Sequence, residues 1–441
     1  MAQYRTDYKK LDGSNLVTRY EVNMLADQLT TSGTLTDSFG RLRTSTPFTL
    51  FDSSHRYADN GLWSTSNTAG GTYGFVTNQS LIEMTVSNAS GAEVIRETDA
   101  VFSYQPGKSL MVMNTFVFNE GKTNLRQRVG YFGADNGIFL EQDGTDGNSL
   151  YLVRRSKTSG TVVDTRIPQS DWNVDKFDGT GASAQAAATV TSNFANGIDL
   201  TKTNILWIDF EWLGVGCVRC GFVVDGKFMP AHIFYHSNVL TLPYMSTASL
   251  PLRLEITNTG ATSGSSTLKQ ICSTVLSEGG YELRGSQQSI GTPVASPKDM
   301  PTAGTFVPIT SIRLKSTRLD AIVVPSSIDV LGSGNNTRIK YKVVIGGTLT
   351  GASWVSGGTN SSVEYDLSAT AITGGTDVLS GYIAVTNQAT QPIIINRDQL
   401  FKYQLKRNSF TSEATIFSVC CTGAANGDDA LATVDWEEIS R

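Results

Sequence analysis

Two carboxylates, Asp209 and Glu211, stand two positions apart in the apolar run 205–228. On an extended strand such residues share one face. They could therefore sit together on a concave sheet, with Glu255 as a third acid from a later run. Paired carboxylates in a sugar cleft can cut a glycosidic bond through acid and base or nucleophile roles. The same alternation, with Ile208 and Phe210 as its apolar members, also describes a solvent-facing stripe on a half-buried strand. The motif is too short to name an enzyme, so no catalytic residue is expected.

Other chemistry is equally sparse. His232 and His236 bracket Ile233-Phe234-Tyr235 and would share a strand face, with Asp225 nearby. A metal site needs at least a third ligand, and no clear spacing supplies one. Asp143-Gly144-Thr145-Asp146-Gly147-Asn148 is rich in oxygen donors but lacks the closing Glu of a helix–loop–helix calcium loop. Cys217 and Cys220 have the spacing of a metal or redox pair, yet on a strand they point to opposite faces. The remaining cysteines, Cys272, Cys420 and Cys421, give no matching second pair, so free thiols are expected. Gly214-Val215-Gly216 lacks the Lys-Ser/Thr ending of a phosphate loop. We expect no metal and no cofactor.

The elements that must position these residues read as strands. Runs at 110–118, 127–132, 137–142, 149–155, 205–212, 218–224, 232–235 and 252–257 are separated by Gly, Asn and Asp turns, and Asp225-Gly226 is a hairpin signal. Such strands bury themselves most simply as a two-layer sandwich. Further runs at 309–314, 321–324, 338–345, 363–367, 381–386, 393–395, 415–419 and 430–436 fit a second sandwich of immunoglobulin or jelly-roll type. Between them, residues 286–305 are rich in Gly, Ser and Pro and read as a linker. The segment 178–196, rich in Gly, Ala, Ser and Thr, reads as a surface loop or short helix. The expected fold is all-β: an N-terminal arm over 1–62 with one short helix, a lectin-like jelly-roll sandwich over 63–285, and a C-terminal sandwich over 306–441.

In the arm, Leu16, Tyr20, Met24 and Leu25 fall near one face of a helix over 15–29. Beyond it come Phe39, Arg41, Arg43, Phe48, Leu50 and Phe51, the candidate assembly contacts. Either these residues cover their own sandwich or they insert into a neighbouring subunit.

Composition bounds the partners. With 42 Gly, 17% charged and 39% hydrophobic residues in 441, the chain has enough apolar content for real cores. A net charge of −5 opposes a nucleic-acid binder, which usually carries a basic face. The opening MAQYRTDYKK is polar with no apolar stretch behind it, so no secretory leader is expected. No apolar run approaches the roughly 20 residues of a membrane span, and no membrane insertion is expected. No sustained heptad encodes a coiled coil.

Several segments together resemble a family of tailed-bacteriophage virion structural proteins: FGRLRTSTPFTLFDS (39–53), FSYQPGKSLMVMNTFVF (102–118), RVGYFGADNGIFLEQDG (128–144), SDWNVDKFDGTG (170–181), DLTKTNILWIDFEWLGVG (199–216) and LRLEITNTG (252–260). The ending from Ala432 to Ile439 is similar to modules appended to phage structural proteins. GYFGADNGIFLEQDG and CGFVVDGKF resemble the hairpins of concanavalin- or laminin-G-like sandwiches. The resemblance implies a virion component assembled in the host cytoplasm, a homo-oligomer with other virion proteins as partners, and brings no catalytic residues. A tail, collar or baseplate accessory docked through the arm is expected first. A head decoration or head fibre is the alternative. A host-glycan adhesin, or a depolymerase using Asp209, Glu211 or Glu255, would be a third kind of protein. Any of Trp63, Trp172, Trp207, Trp212, Trp354 and Trp436 could stack on a sugar if exposed.

Overall fold

The computed structural model describes residues 7–9, 15–17, 46–187, 193–280, 285–333, 337–385 and 403–440. The chain forms two compact units, Met1–Pro47 and Phe48–Arg441. In the first, Asp7–Lys9 pairs antiparallel with Asn15–Val17. Asn15–Val17 is thus a strand and not the start of the expected helix; the remainder of that helix, and Phe39, Arg41 and Arg43, lie outside the described residues.

The larger unit contains two β-sandwiches. In the first, a seven-stranded antiparallel sheet runs Val163–Pro168, Ser149–Ser156, Gly137–Asp143, Leu125–Phe132, Leu252–Asn258, Glu93–Thr98, Trp63–Asn67. An eight-stranded sheet faces it, running Lys227–Phe234, Val218–Val224, Asn204–Phe210, Ser109–Val117, Ser266–Glu278, Leu81–Val86, Gly71–Val76, with Phe48–Ser54 added beside Ser266–Glu278. The alternation that predicts these strands also fills the core. Leu110, Val112 and Phe116 of one strand, Leu206, Ile208 and Phe210 of its neighbour, and Val129, Tyr131, Leu254 and Ile256 of the opposite sheet are all buried in one cluster. Residues between them face outward.

Asp225 and Gly226 both have positive φ, 50° and 78°, as the two-residue hairpin joining Val218–Val224 to Lys227–Phe234 requires. A register shift at Cys220/Gly221 sits opposite Pro230 on that edge strand, where a residue without an N–H costs no ladder bond. The segment after the Trp172 turn carries a short helix, Ala182–Ala187, anchored where Ser183 N and Phe177 N both donate to Asp175, at 2.7 and 2.8 Å.

The second sandwich packs a six-stranded sheet, ordered Val355–Ser356, Val363–Asp366, Val307–Leu314, Phe417–Gly423, Arg338–Ile345, Thr376–Ala384, against strands gathered on Asp428–Ser440. Its core holds Trp436, Ile312, Val343, Val419 and Val434. The expected linker is part of this body. Ser286–Gly291 and Lys298–Met300 both pair with Asp428–Ser440. Its polar sequence reflects strand position: no residue of Ser286–Gly291 is fully buried, and Pro293, Pro297 and Pro301 lie in the connections around the two strands. Residues 393–395 lie outside the described set.

The two sandwiches touch directly. Ser409 Oγ donates to Thr98 O at 2.6 Å, Ser409 N donates to Asp99 O at 3.1 Å, and Gln404 Nε2 donates to Ser103 Oγ at 2.6 Å.

Candidate functional site

The acids singled out by sequence do not converge. Asp209 lies on Asn204–Phe210 between the core residues Ile208 and Phe210, so it faces away from the core of the eight-stranded sheet. It is buried there, held by Arg219 across the ladder and by the hydroxyl of Ser109. The strand ends at Phe210, and Glu211 turns outward into solvent, its Oε1 accepting from Cys217 N at 3.3 Å. Two-residue spacing therefore fails to pair them: Glu211 is already in the turn that Leu213 and Gly214 make with positive φ. Glu255 sits on the seven-stranded sheet between core residues Leu254 and Ile256, on the opposite outer face of the sandwich.

His232 accepts at Nδ1 from Asn173 N at 3.3 Å, and burial pushes its pKa down to about 4. His236 lies against Tyr244 with ring centroids 4.0 Å apart, and its Nδ1 is 2.6 Å from Gly216 O. Asp143 caps a 3-10 turn by accepting from Thr145 N at 2.9 Å, and Arg166 reaches both Asp143 and Asp146 at 2.8 Å. The oxygen-rich run thus holds a guanidinium. Among the described residues no group of three or more His, Cys, Asp or Glu side chains is placed to hold a metal. All five cysteines are free thiols, and burial pushes the Cys420 pKa up to about 12.

The Phe48–Ser54 strand docks on its own sandwich. Phe51 packs against Phe102 at 4.9 Å and Trp63 at 6.0 Å between ring centroids, and Leu50 joins the same core. Trp63 Nε1 donates to Ser53 Oγ at 2.8 Å. Leu50 and Phe51 therefore pack within the chain, and Phe48, paired with Ser277, is 37% exposed.

The densest electrostatics lie on the outer face of the seven-stranded sheet. Register places Glu141, Arg128 and Glu255 in one row across three strands. Arg128 donates to Glu141 at 2.6 Å and to Glu255 at 3.1 Å; Arg253 donates to Glu255 at 3.0 Å and to Glu97 at 3.2 Å; Arg166 donates to Glu141 at 2.7 Å. Beneath them Phe132, Phe139 and Val153 form a small buried cluster. The Arg128 and Arg155 guanidinia lie 5.3 and 5.2 Å from the Phe139 ring, and Arg253 lies 5.4 Å from Phe132, a cation–π arrangement. Gly130 makes room: a Cβ there would come within 2.6 Å of the Phe139 backbone.

These contacts set the protonation states. Burial would raise the Glu255 pKa, but Arg128, Arg253 and Arg126 outweigh it and bring it down to about 2. For Glu97 burial wins over Arg253, and its pKa is raised. A carboxylate locked between arginines cannot serve as a general acid near neutral pH. The sequence signal for this face was present as period-two charge, Arg126-x-Arg128, Glu141-x-Asp143 and Arg253-x-Glu255, legible only once the strands are known to be neighbours.

Beside this face a cleft of about 1310 Å³ opens between the two sandwiches. The first sandwich contributes Glu97, Tyr104, Asn136, Trp212 and the 246–251 segment; the second contributes Arg318, Asp320, Arg407 and Phe410. Trp212 is half-buried, with Nε1 donating to Met245 O at 3.2 Å. Trp63, Trp172, Trp207 and Trp436 are buried, and Trp354 lies under Arg313 at 4.0 Å.

No family model matches this chain, and no curated protein matches it. Among solved structures it is similar to the Emp47p carbohydrate recognition domain, at 10% identity and TM-score 0.33 over 52% of this chain and 96% of that one. It is similar to a Bacteroides ovatus mixed-linkage glucan GH16 protein, at 10% and 0.33 over 51% and 99%. A prokaryotic β-1,3-1,4-glucanase from a mouse hindgut metagenome matches at 13% and 0.30 over 53% and 99%. Likeness at this level bears on no residue's role. The chain is an all-β protein built of β-sandwiches.

Proposed function

We propose that this chain is a structural component of a tailed-bacteriophage virion, a tail, collar or baseplate accessory docked through its N-terminal segment. The observation that carries this reading is the division of the chain into a small N-terminal unit, Met1–Pro47, and a compact body, Phe48–Arg441. The body closes its own cores, and this reading assigns attachment to the N-terminal unit. The segments resembling phage virion proteins add to it. So does the state of the acids: Asp209 is engaged by Arg219, and Glu141 and Glu255 by Arg128, an arrangement suited to permanence and not to proton transfer.

Within this reading Phe39, Arg41 and Arg43 remain the docking contacts, with Phe48 at the body's edge. Leu50 and Phe51 serve the body itself. The partners are other virion proteins and further copies of this chain. Removing residues 1–47 tests it. The truncated chain should melt as a folded protein yet be missing from assembled particles. A full complement of truncated protein in those particles would contradict the reading.

A further inference from the structure

We propose that the cleft between the two sandwiches is a binding site for an acidic oligosaccharide. Its volume of about 1310 Å³ exceeds the ~300–1,000 Å³ usual for a small-molecule pocket and suits several sugar rings in a row. Its walls are fixed, because Ser409 and Gln404 of the second sandwich bond to the first on one side of it.

The lining matches a polyhydroxylated ligand. Ser246, Thr247 and Ser249 line one wall and Ser316 and Thr317 the other, offering hydroxyls that both donate and accept. Trp212 supplies an apolar ring against which the C–H face of a sugar can lie. Its N–H bond to Met245 O and its edge-on contact with Tyr104, at 6.2 Å and 75°, hold the indole in place.

Charge decides the kind of sugar. Most ions around the cleft are already matched: Arg253 with Glu97, Arg407 with Asp320 at 3.0 Å, and Asp135 with Lys157 at 2.8 Å. Arg318 is the exception. Its Nη1 donates to the carbonyl of Asn360 at 2.8 Å, and among the described residues it has no carboxylate partner. A half-buried guanidinium with an open fork takes a carboxylate or sulfate group, so the ligand carries acidic sugars.

The test is calorimetric titration of the full chain with hexasaccharides of galacturonate, hyaluronan, alginate and chondroitin sulfate, with maltohexaose as the neutral control. At least one acidic hexasaccharide should bind, and at least tenfold more tightly than maltohexaose. Trp212→Ala and Arg318→Met should each weaken that binding at least tenfold, whereas Trp212→Phe should retain most of it and Arg318→Lys, which keeps the charge without the fork, should retain only part. Thermal melting of each variant separates lost binding from lost fold. Silence across the acidic panel, equal binding of maltohexaose, or unchanged affinity in folded Trp212→Ala and Arg318→Met proteins would each overturn the proposal.

Discussion

Arg128 reaches across one strand boundary to Glu255, Nη1 to Oε1 at 3.1 Å, with both side chains buried. The same guanidinium holds Glu141 on the other side. Replacing Arg128 with Met leaves two buried carboxylates facing each other across a strand without their shared cation. Breaking a buried pair from one side costs about 3–5 kcal/mol when the charge is left alone; Glu255 keeps Arg253 and Glu141 keeps Arg166, so Arg128→Met should lose less than that in denaturant unfolding. The triple variant, with Glu141→Gln and Glu255→Gln added to Arg128→Met, should regain a large part of it. A single variant as stable as the parent would mean that the network is solvated.

The acid limb of stability should report Glu255. Its folded pKa, about 2, lies below its ordinary 4.5. Its contribution is therefore complete above about 4.5 and is lost as pH falls through about 2. Glu255→Gln should lower stability at neutral pH while flattening the fall between those values. An unchanged slope would remove Glu255 from the acid response.

His232 works in a higher window. Its folded pKa of about 4 lies below the ordinary 6.5, so between these values the unfolded chain binds a proton that the folded chain excludes. Stability should therefore fall as pH drops from 6.5 toward 4, by up to ~1.4 kcal/mol per unit for one group. His232→Gln should reduce that slope in a series of thermal melts. His55 is also buried beside Arg96 with a lowered pKa, so His232→Gln removes a part of the slope and His55→Gln a further part.

Much of the fold was legible because period-two patterning is written in residues 110–118, 205–210 and 218–224, where every second side chain enters the core. Ser266–Glu278 was not legible. Its buried Leu268, Gln270, Ser273 and Val275 change phase at the irregularity between Gln270 and Cys272, and two of the four are polar, Gln270 Oε1 accepting from Arg96 and Ser273 donating to Asn114. The linker reading failed for a related reason: an edge strand with one wet face needs few apolar residues, and the long Asp428–Ser440 strand supplies the core side chains for it. Asp209 and Glu211 show the limit for sites. Face-sharing follows from spacing only while the strand continues, and this one stops between them. The cleft was invisible in sequence because Trp212 and Arg318 meet only through the packing of two sandwiches.

The measurement that bears most directly on the proposed role is immunogold electron microscopy of whole virions with an antibody raised against residues 306–441. The account predicts label confined to the neck, tail or baseplate. Label spread over the capsid would contradict that placement, and absence of the protein from purified particles would contradict the virion role itself.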